Sequence, residues 1–381
     1  MIYLDNAATT YPKPELVYSS MDKMNRCGAV NANRGAYKLA VEGAELIHKT
    51  KGKLRKLVKA AYDTPVVLTP SITIALNQII NGINFSSGDI VYISPYEHNA
   101  VARTISLLKR KKNIEVKMLP LQSDLTIDTD QLVSLFSRYR PKLVVCTHIS
   151  NVTGYVLPIS EIFYAAHKFG AITVLDSAQS LGLLDIDVSM SCIDILSFAG
   201  HKSLYGPLGI GGFINYGNIS LDEYIVGGTG SDSLNVNMPD SPESKYESSS
   251  TNIVAVAGLN AALDVLEPKA VYEHEKELSL LLISELKKID NIILYSNESC
   301  VGVISFALEN FDSNDVGFIL DHDYEICVRT GYHCAPYIHD FLSDANYNGT
   351  VRVGLSQYNT ESDLRALIKA IVTIHETERG L

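Results

Sequence analysis

The sequence predicts an α/β protein, with a large unit built on a mostly parallel mixed sheet and a smaller α+β unit at the C-terminal end. Three observations carry this. Over residues 65–216, apolar and β-branched runs alternate with helical patterns, as expected of strands covered on both faces by crossover helices. Residues 228–252 are rich in Gly, Ser, Asn, Asp and Pro and read as an extended loop. Beyond that loop, two helical patterns lead into a strand-rich segment. A chain of 381 residues is long enough to bury a core in each of two such units.

Taken in order, residues 65–69 (PVVLT) form a short buried strand, and a helix follows over 71–81. Strands at 89–94, 114–119 and 142–149 alternate with a helical stretch ending at Lys112 and a helix over 130–138. Residues 171–176, 194–200 and 210–216 continue the series of strands. Helices over 253–266 and 268–289 precede the strand-like runs IILYS, VGVISFAL and GTVRVGL. The last helix starts at Thr360, with Asp363 as its capping-box partner. Leu364, Leu367, Ile368, Ile371 and Ile374 give that helix one apolar face. The expected division is 15–255 for the large unit and 1–14 with 256–381 for the small one.

Composition excludes several classes. With 46% hydrophobic and 20% charged residues the chain is globular. A net charge of −11 argues against nucleic acid as a partner. No apolar stretch reaches the roughly 18 residues that a membrane span needs. The N-terminus, with its early Asp5, lacks the pattern of a signal peptide, so the cytoplasm is expected. Six cysteines, at 27, 146, 192, 300, 327 and 334, form no C-x-x-C pair and no metal-ligand spacing. They are expected as free thiols, and all but Cys334 as buried hydrophobes.

Several strand ends carry chemistry. In SFAGHKSLYGPLGIGG a strand ends at Gly200, and His201 and Lys202 follow at once. A lysine there is either an ordinary turn residue or a desolvated amine able to form a Schiff base. Asp176 ends another strand, 26 residues before Lys202, where α/β sheets open onto their ligand crevice. An aspartate there can cap a helix. Paired with Lys202, it better suits the carboxylate that keeps the pyridine nitrogen of pyridoxal phosphate (PLP) protonated. The turn LTPSIT, opening a helix at Ile72 and Thr73, suits a phosphate as well as plain capping. His98, after a further strand, can stack on a ring, move protons or simply be structural. Asn151 reads as a turn residue. Cys334 stands in a turn-like stretch with Arg329 and His333 nearby, the setting of a reactive thiolate. Arg352, inside an alternating apolar strand, needs an anion, either a ligand carboxylate or a core acid.

The segments YLDNAATT, NANRG, EHNAV, SNVTG, LDSAQ, GHKSLYGPLGIGG, ESSSTN, RTGYHCAP and GTVRVGLSQYNT come in the order seen in a known family. Together they resemble the cysteine desulfurase and selenocysteine lyase family, in the class V aminotransferase group of PLP enzymes with the type I fold. The resemblance covers residues 2 to about 360. It implies that Lys202 holds PLP, that Asp176 pairs with the ring nitrogen and Gln179 with the phenolic oxygen, and that His98 stacks on the ring and assists proton transfer. It implies a phosphate site at Ile72, Thr73 and His201, completed in a homodimer by Ser250 from the neighbouring subunit. It implies that Arg352 and Asn151 bind the substrate carboxylate and that Cys334 takes sulfur from L-cysteine and hands it to an acceptor protein. Three positions depart from the pattern: Ala199 stands where a phosphate-binding serine is usual, Ser250 where a threonine is usual, and Pro70 where a basic or small residue is usual. The family resemblance leaves selenocysteine lyase, epimerase and aminotransferase chemistry as alternatives, with a non-enzymatic sulfur carrier behind them.

Overall fold

The computed structural model describes residues 1–32, 35–230 and 234–379; Asn33 and Arg34 of the NANRG segment lie outside them. The chain begins with the two-residue strand β1 (Ile2–Tyr3) and two helices, α1 (Glu15–Cys27) and α2 (Lys38–Leu57). Then come β2 (Val66–Thr69), α3 (Ile72–Gly82), β3 (Ile90–Ile93), α4 (Asn99–Lys112), β4 (Glu115–Met118), α5 (Thr129–Arg138) and β5 (Pro141–Thr147). The helix α6 (Ile159–His167) and the strands β6 (Ile172–Asp176), β7 (Ile195–Ala199) and β8 (Gly211–Asn215) complete this part.

Seven of these strands form one sheet in the order β2-β8-β7-β6-β5-β3-β4. From β7 to β4 the neighbours are parallel, while β8 runs antiparallel to both β7 and β2. Residues along the central strands alternate between two cores. Tyr92, Val144, Leu175 and Leu196 enter one. Val91, Val145, Val174 and Ile195 enter the other. Every residue of β6 after Ile172 and every residue of β7 is buried. Each such aliphatic side chain contributes about 1.5–3 kcal/mol of burial, so the ends of these strands are held by the bulk of the core. Gly211 and Gly212 let β8 approach closely: a Cβ on Gly212 would lie 2.1 Å from the Val67 carbonyl oxygen.

The rest of the chain supplies α7 (Ile253–Val265), α8 (Pro268–Leu286), β9 (Ile292–Leu294), β10 (Val303–Leu308), α9 (Ser313–Tyr324), β11 (Ile326–Cys327), β12 (Arg329–Gly331), α10 (His339–Leu342), β13 (Thr350–Gly354) and α11 (Glu361–Arg379). An antiparallel sheet, β12-β13-β10-β9, packs on α8, α9 and α11 through a core that includes Ile304, Phe306, Val351, Leu282, Leu320 and Leu367. The strand β1 pairs in parallel with β11, and Leu4 joins the same core. The capping box at the start of α11 forms as expected: Thr360 N–H donates to Asp363 and Asp363 N–H to the Thr360 hydroxyl.

The loop over 228–252 is anchored at its far end. Lys51, buried on α2, binds Glu243 at 2.6 Å and Glu247 at 2.8 Å. Those two carboxylates also accept from Val66 N–H and Leu68 N–H of the edge strand β2, satisfying donors that an edge otherwise leaves open.

The cysteines correct one expectation. Only Cys146 and Cys300 are buried; Cys27 is exposed, and Cys192 and Cys327 are partly exposed like Cys334. Cys27 ends an amphipathic helix, and Cys327 sits on a two-residue strand, so an apolar sequence context did not imply burial in either case.

Candidate active site

The floor of the site is made by strand ends. Asp176 closes β6 and lies opposite Thr147 of β5 and Ser197 of β7. It is buried, and its Oδ1 accepts the Ala178 N–H at 2.9 Å. Burial pushes its carboxyl up, against the Ala178 hydrogen bond and the charge of Lys202. Lys202 follows β7 by three residues. Burial pushes its amine down to about 8, with Asp176 pulling the other way and Arg352 and Arg329 adding to the fall. An amine so tuned is partly neutral near physiological pH. His98 caps α4, its Nδ1 accepting the Ala100 N–H at 3.0 Å. That bond leaves the proton on Nε2. Burial first, then the charges of Lys202, Arg329 and Arg352, push the ring down to about 4, so it is neutral. Just before it, Glu97 is fully buried and accepts from the Ser94 hydroxyl and Thr147 N–H, tying β3 to β5.

One end of this floor is suited to an anion. The Ser71 hydroxyl accepts from Ile74 N–H at the start of α3, while the first N–H groups of the helix, those of Ile72 and Thr73, have no intrahelical acceptor. Gly211 makes room there, since a Cβ on it would lie 2.7 Å from the Ile72 nitrogen. The His201 ring is half-buried and neutral, pushed down to about 4 by burial and by two lysines, Lys202 and Lys13. Its Nδ1 is buried without a partner. Ser250 does not join Lys202 or Asp176. It is exposed, accepts from the Asn31 amide at 3.2 Å, and lines a cavity of about 230 Å³ with Pro70 and Gly209.

The rim comes from the other sheet. Cys334 and His333 both have left-handed backbone angles, φ 59° and 46°. The loop is pinned twice: Asn99 N–H donates to the Cys334 carbonyl at 2.7 Å, and the Asn151 amide donates to the His333 carbonyl at 2.7 Å. Arg329 Nη2 reaches the Cys334 sulfur at 3.3 Å. Arg329 and Arg352 lie directly opposite each other across β12 and β13. Arg352 is 1% exposed. It donates to the Asn151 carbonyl at 2.9 Å and pairs with Asp5 at 2.7 Å, and its Nε is buried without a partner. Cys334, Arg329, Arg352 and Asp176 all bear on the charge of Lys202, so floor and rim face one space.

The sequence reading counted His333 as a positive neighbour of the thiol. The structure corrects this. His333 is buried against Thr350, and burial with Arg352 and Arg329 pushes it down to about 2, so it is neutral. The positive charge at the sulfur is that of Arg329. Gln179 is close but committed, its amide donating to the Ala7 carbonyl at 2.8 Å. Asp5, Thr9, Thr10, Lys13 and Glu97 were missed altogether. The dense polar run at the front of the chain, followed by Pro-Lys-Pro, was the available signal. Among the described residues no group of three or more His, Cys, Asp and Glu side chains is arranged for a metal ion.

Comparison with known proteins gives a consistent result. The aminotransferase class-V family model matches residues 2–367. A probable cysteine desulfurase of Methanothermobacter thermautotrophicus is 30% identical over 378 residues, covering 96% of this chain and 92% of the relative. A cysteine desulfurase of Shigella flexneri is 29% identical over 98% of this chain and 93% of its own. Among solved structures, the apo cysteine desulfurase of Thermococcus onnurineus superposes with a TM-score of 0.90 at 26% identity, over 100% of this chain and 95% of that one. A cysteine desulfurase of Escherichia coli in an S-sulfonic acid form gives 0.86 at 26% identity, over 98% and 94%.

Proposed function

The chain belongs to the aminotransferase class-V family, and from that premise we propose that it is a PLP-dependent cysteine desulfurase. The reaction converts L-cysteine and the Cys334 thiol into L-alanine and a Cys334 persulfide. The substrate C–S bond breaks and an S–S bond forms. The reduction of that carbon balances the oxidation of the sulfurs, so no outside oxidant is required. The observation that carries the reading is the Arg329 contact to the Cys334 sulfur, in a loop whose charge bears on Lys202.

The residues present fit the cofactor. The Lys202 amine is partly neutral, Asp176 is a buried carboxyl across from it, and the buried His201 Nδ1 and the first N–H groups of α3 are open to a phosphate. Ala199 brings no hydroxyl to this set. Bound there, PLP supplies an electron sink that acidifies the substrate Cα–H. Lys202, once neutral and free, takes that proton on its Nζ. His98, neutral with its proton on Nε2, would lie over the ring of the bound group and lend that proton. Arg352 offers its fork to the substrate carboxylate, with Asn151 beside it and Asp5 holding the guanidinium in line. Arg329 steadies the sulfur of Cys334.

The same reading makes 15–255 the cofactor-bearing unit and 1–14 with 256–381 the unit bearing the cysteine loop, which the pairing of β1 with β11 supports. It carries with it a homodimer in which Ser250 reaches the partner's phosphate site, a sulfur-acceptor protein and a cytoplasmic setting. No helix among the described residues is long and apolar enough to cross a membrane.

The test supplies L-cysteine to the PLP-loaded chain with a thiol reductant and follows alanine and sulfide. Equal amounts of both are expected, and Cys334→Ala should abolish sulfide release. Unchanged sulfide release in Cys334→Ala would refute the role of Cys334. A strong preference for selenocysteine over cysteine in competition would move the reading to selenocysteine lyase.

A further inference from the structure

We infer that Lys13 is a positioning residue for Lys202: its ammonium, donating to the His201 carbonyl, holds the turn that aims the Lys202 amine into the site. This rests on the reading of Lys202 as the lysine that carries PLP. The His201 carbonyl oxygen is crowded with donors. Thr10 N–H and the Thr9 hydroxyl reach it at 3.1 Å each, and the Thr10 hydroxyl at 3.3 Å. Lys13 Nζ reaches it at 2.8 Å, the shortest of the four and the one that carries charge. A carbonyl oxygen has two lone pairs, and charge-assisted bonds are about twice as strong as neutral ones. The ammonium therefore dominates this contact. The peptide unit it grips is the one that joins His201 to Lys202.

Lys13 is itself built to hold still. It lies between Pro12 and Pro14, which fix the backbone on either side of it. Its own N–H donates to the Tyr18 hydroxyl on α1, and Nζ also donates to the Thr10 hydroxyl at 2.6 Å. The titratable groups beside it are Tyr18 from α1 and His201 from the turn after β7. Burial pushes the Lys13 amine down to about 7, and no carboxylate among the described residues offsets that. The grip is therefore full below pH 7 and relaxes as pH rises through it.

The experiment uses the PLP-loaded chain and two readouts: the pH midpoint of the visible PLP band, which reports the Lys202 nitrogen, and the split between kcat and KM for L-cysteine. Lys13→Met should move the midpoint by about half a pH unit or more. It should lower kcat about tenfold with KM little changed. Lys13→Arg, which keeps a charged donor, should restore both. Lys13→Leu, which likewise removes the donor, serves if Lys13→Met does not fold; it too should move the midpoint. A wild-type midpoint in either neutral variant overturns the inference. Lys202→Ala separates the two layers. If that variant keeps the visible band, the reading of Lys202 fails. If it loses the band while Lys13→Met behaves as wild type, only the inference fails.

Discussion

Asp176 ends a strand, and Lys202 and His98 follow strands, whose residues are almost all buried in two cores, whereas Cys334 and its neighbours stand in a loop with two consecutive left-handed residues. The floor takes its geometry from sheet register, which many side chains share. The rim takes its geometry from a few hydrogen bonds: Asn99 and Asn151 on carbonyls of the loop, Arg329 on the sulfur, Asp5 on Arg352. The two can therefore be damaged separately. A rim mutation should cost sulfur transfer while leaving cofactor binding intact. A floor mutation should register in stability or in the cofactor's spectrum.

The largest effect expected from this contrast is at Arg329. Arg329→Met removes the guanidinium contact to the Cys334 sulfur. A hydrogen bond of this charged kind contributes about 1.5–3 kcal/mol, so sulfide release should fall about tenfold or more. Arg329 hydrogen-bonds the Cys334 sulfur and not Lys202, so the visible PLP band should persist; losing the Arg329 charge, which helps hold the Lys202 amine down, should raise the pH midpoint of that band. Loss of the band in this variant would show that rim and floor do not act separately.

An effect on stability rather than on turnover is expected at Glu97, in the floor. Burial pushes its carboxyl up from 4.5 to about 8. Between those values the folded chain holds a proton that the unfolded chain lacks, so stability falls as pH rises through the interval. Glu97→Gln keeps an acceptor for Ser94 and Thr147 but cannot titrate. It should remove up to about 1.4 kcal/mol per pH unit from that fall. Glu275, also pushed up to about 8, keeps its own share. Denaturant midpoints of the PLP-free chain at about pH 5 and 7.5 measure the difference. Identical slopes in the two proteins would contradict the assignment.

The floor was also the more legible part of the site. Runs such as AITVLD and DILSFAG announce buried strands through β-branched and aromatic content, and the chemistry-bearing residue sits where the run stops. The rim was legible only in part. Cys334 and Arg352 stand out by type and context. The neutral state of His333 depends on burial against Thr350, which no local pattern encodes. The helices α1, α2, α6, α9 and α10 are not anticipated; α1 is amphipathic, but of its stripe Val17, Met21 and Met24 only Val17 is fully buried. The strand β1 is two residues long and exists through its pairing with β11. The front segment was opaque for the same reason: Asp5 meets its partner 347 residues away, and Thr9 meets His201 192 residues away.

The central claim is that the rim cysteine receives sulfur activated over the floor lysine. The most direct measurement incubates the PLP-loaded chain with L-cysteine in the absence of a reductant and maps the Cys334 peptide by mass spectrometry. The account predicts a gain of one sulfur atom on Cys334, reversed by a thiol reductant and absent in Lys202→Ala. A chain that releases alanine while the Cys334 peptide keeps its mass would contradict it.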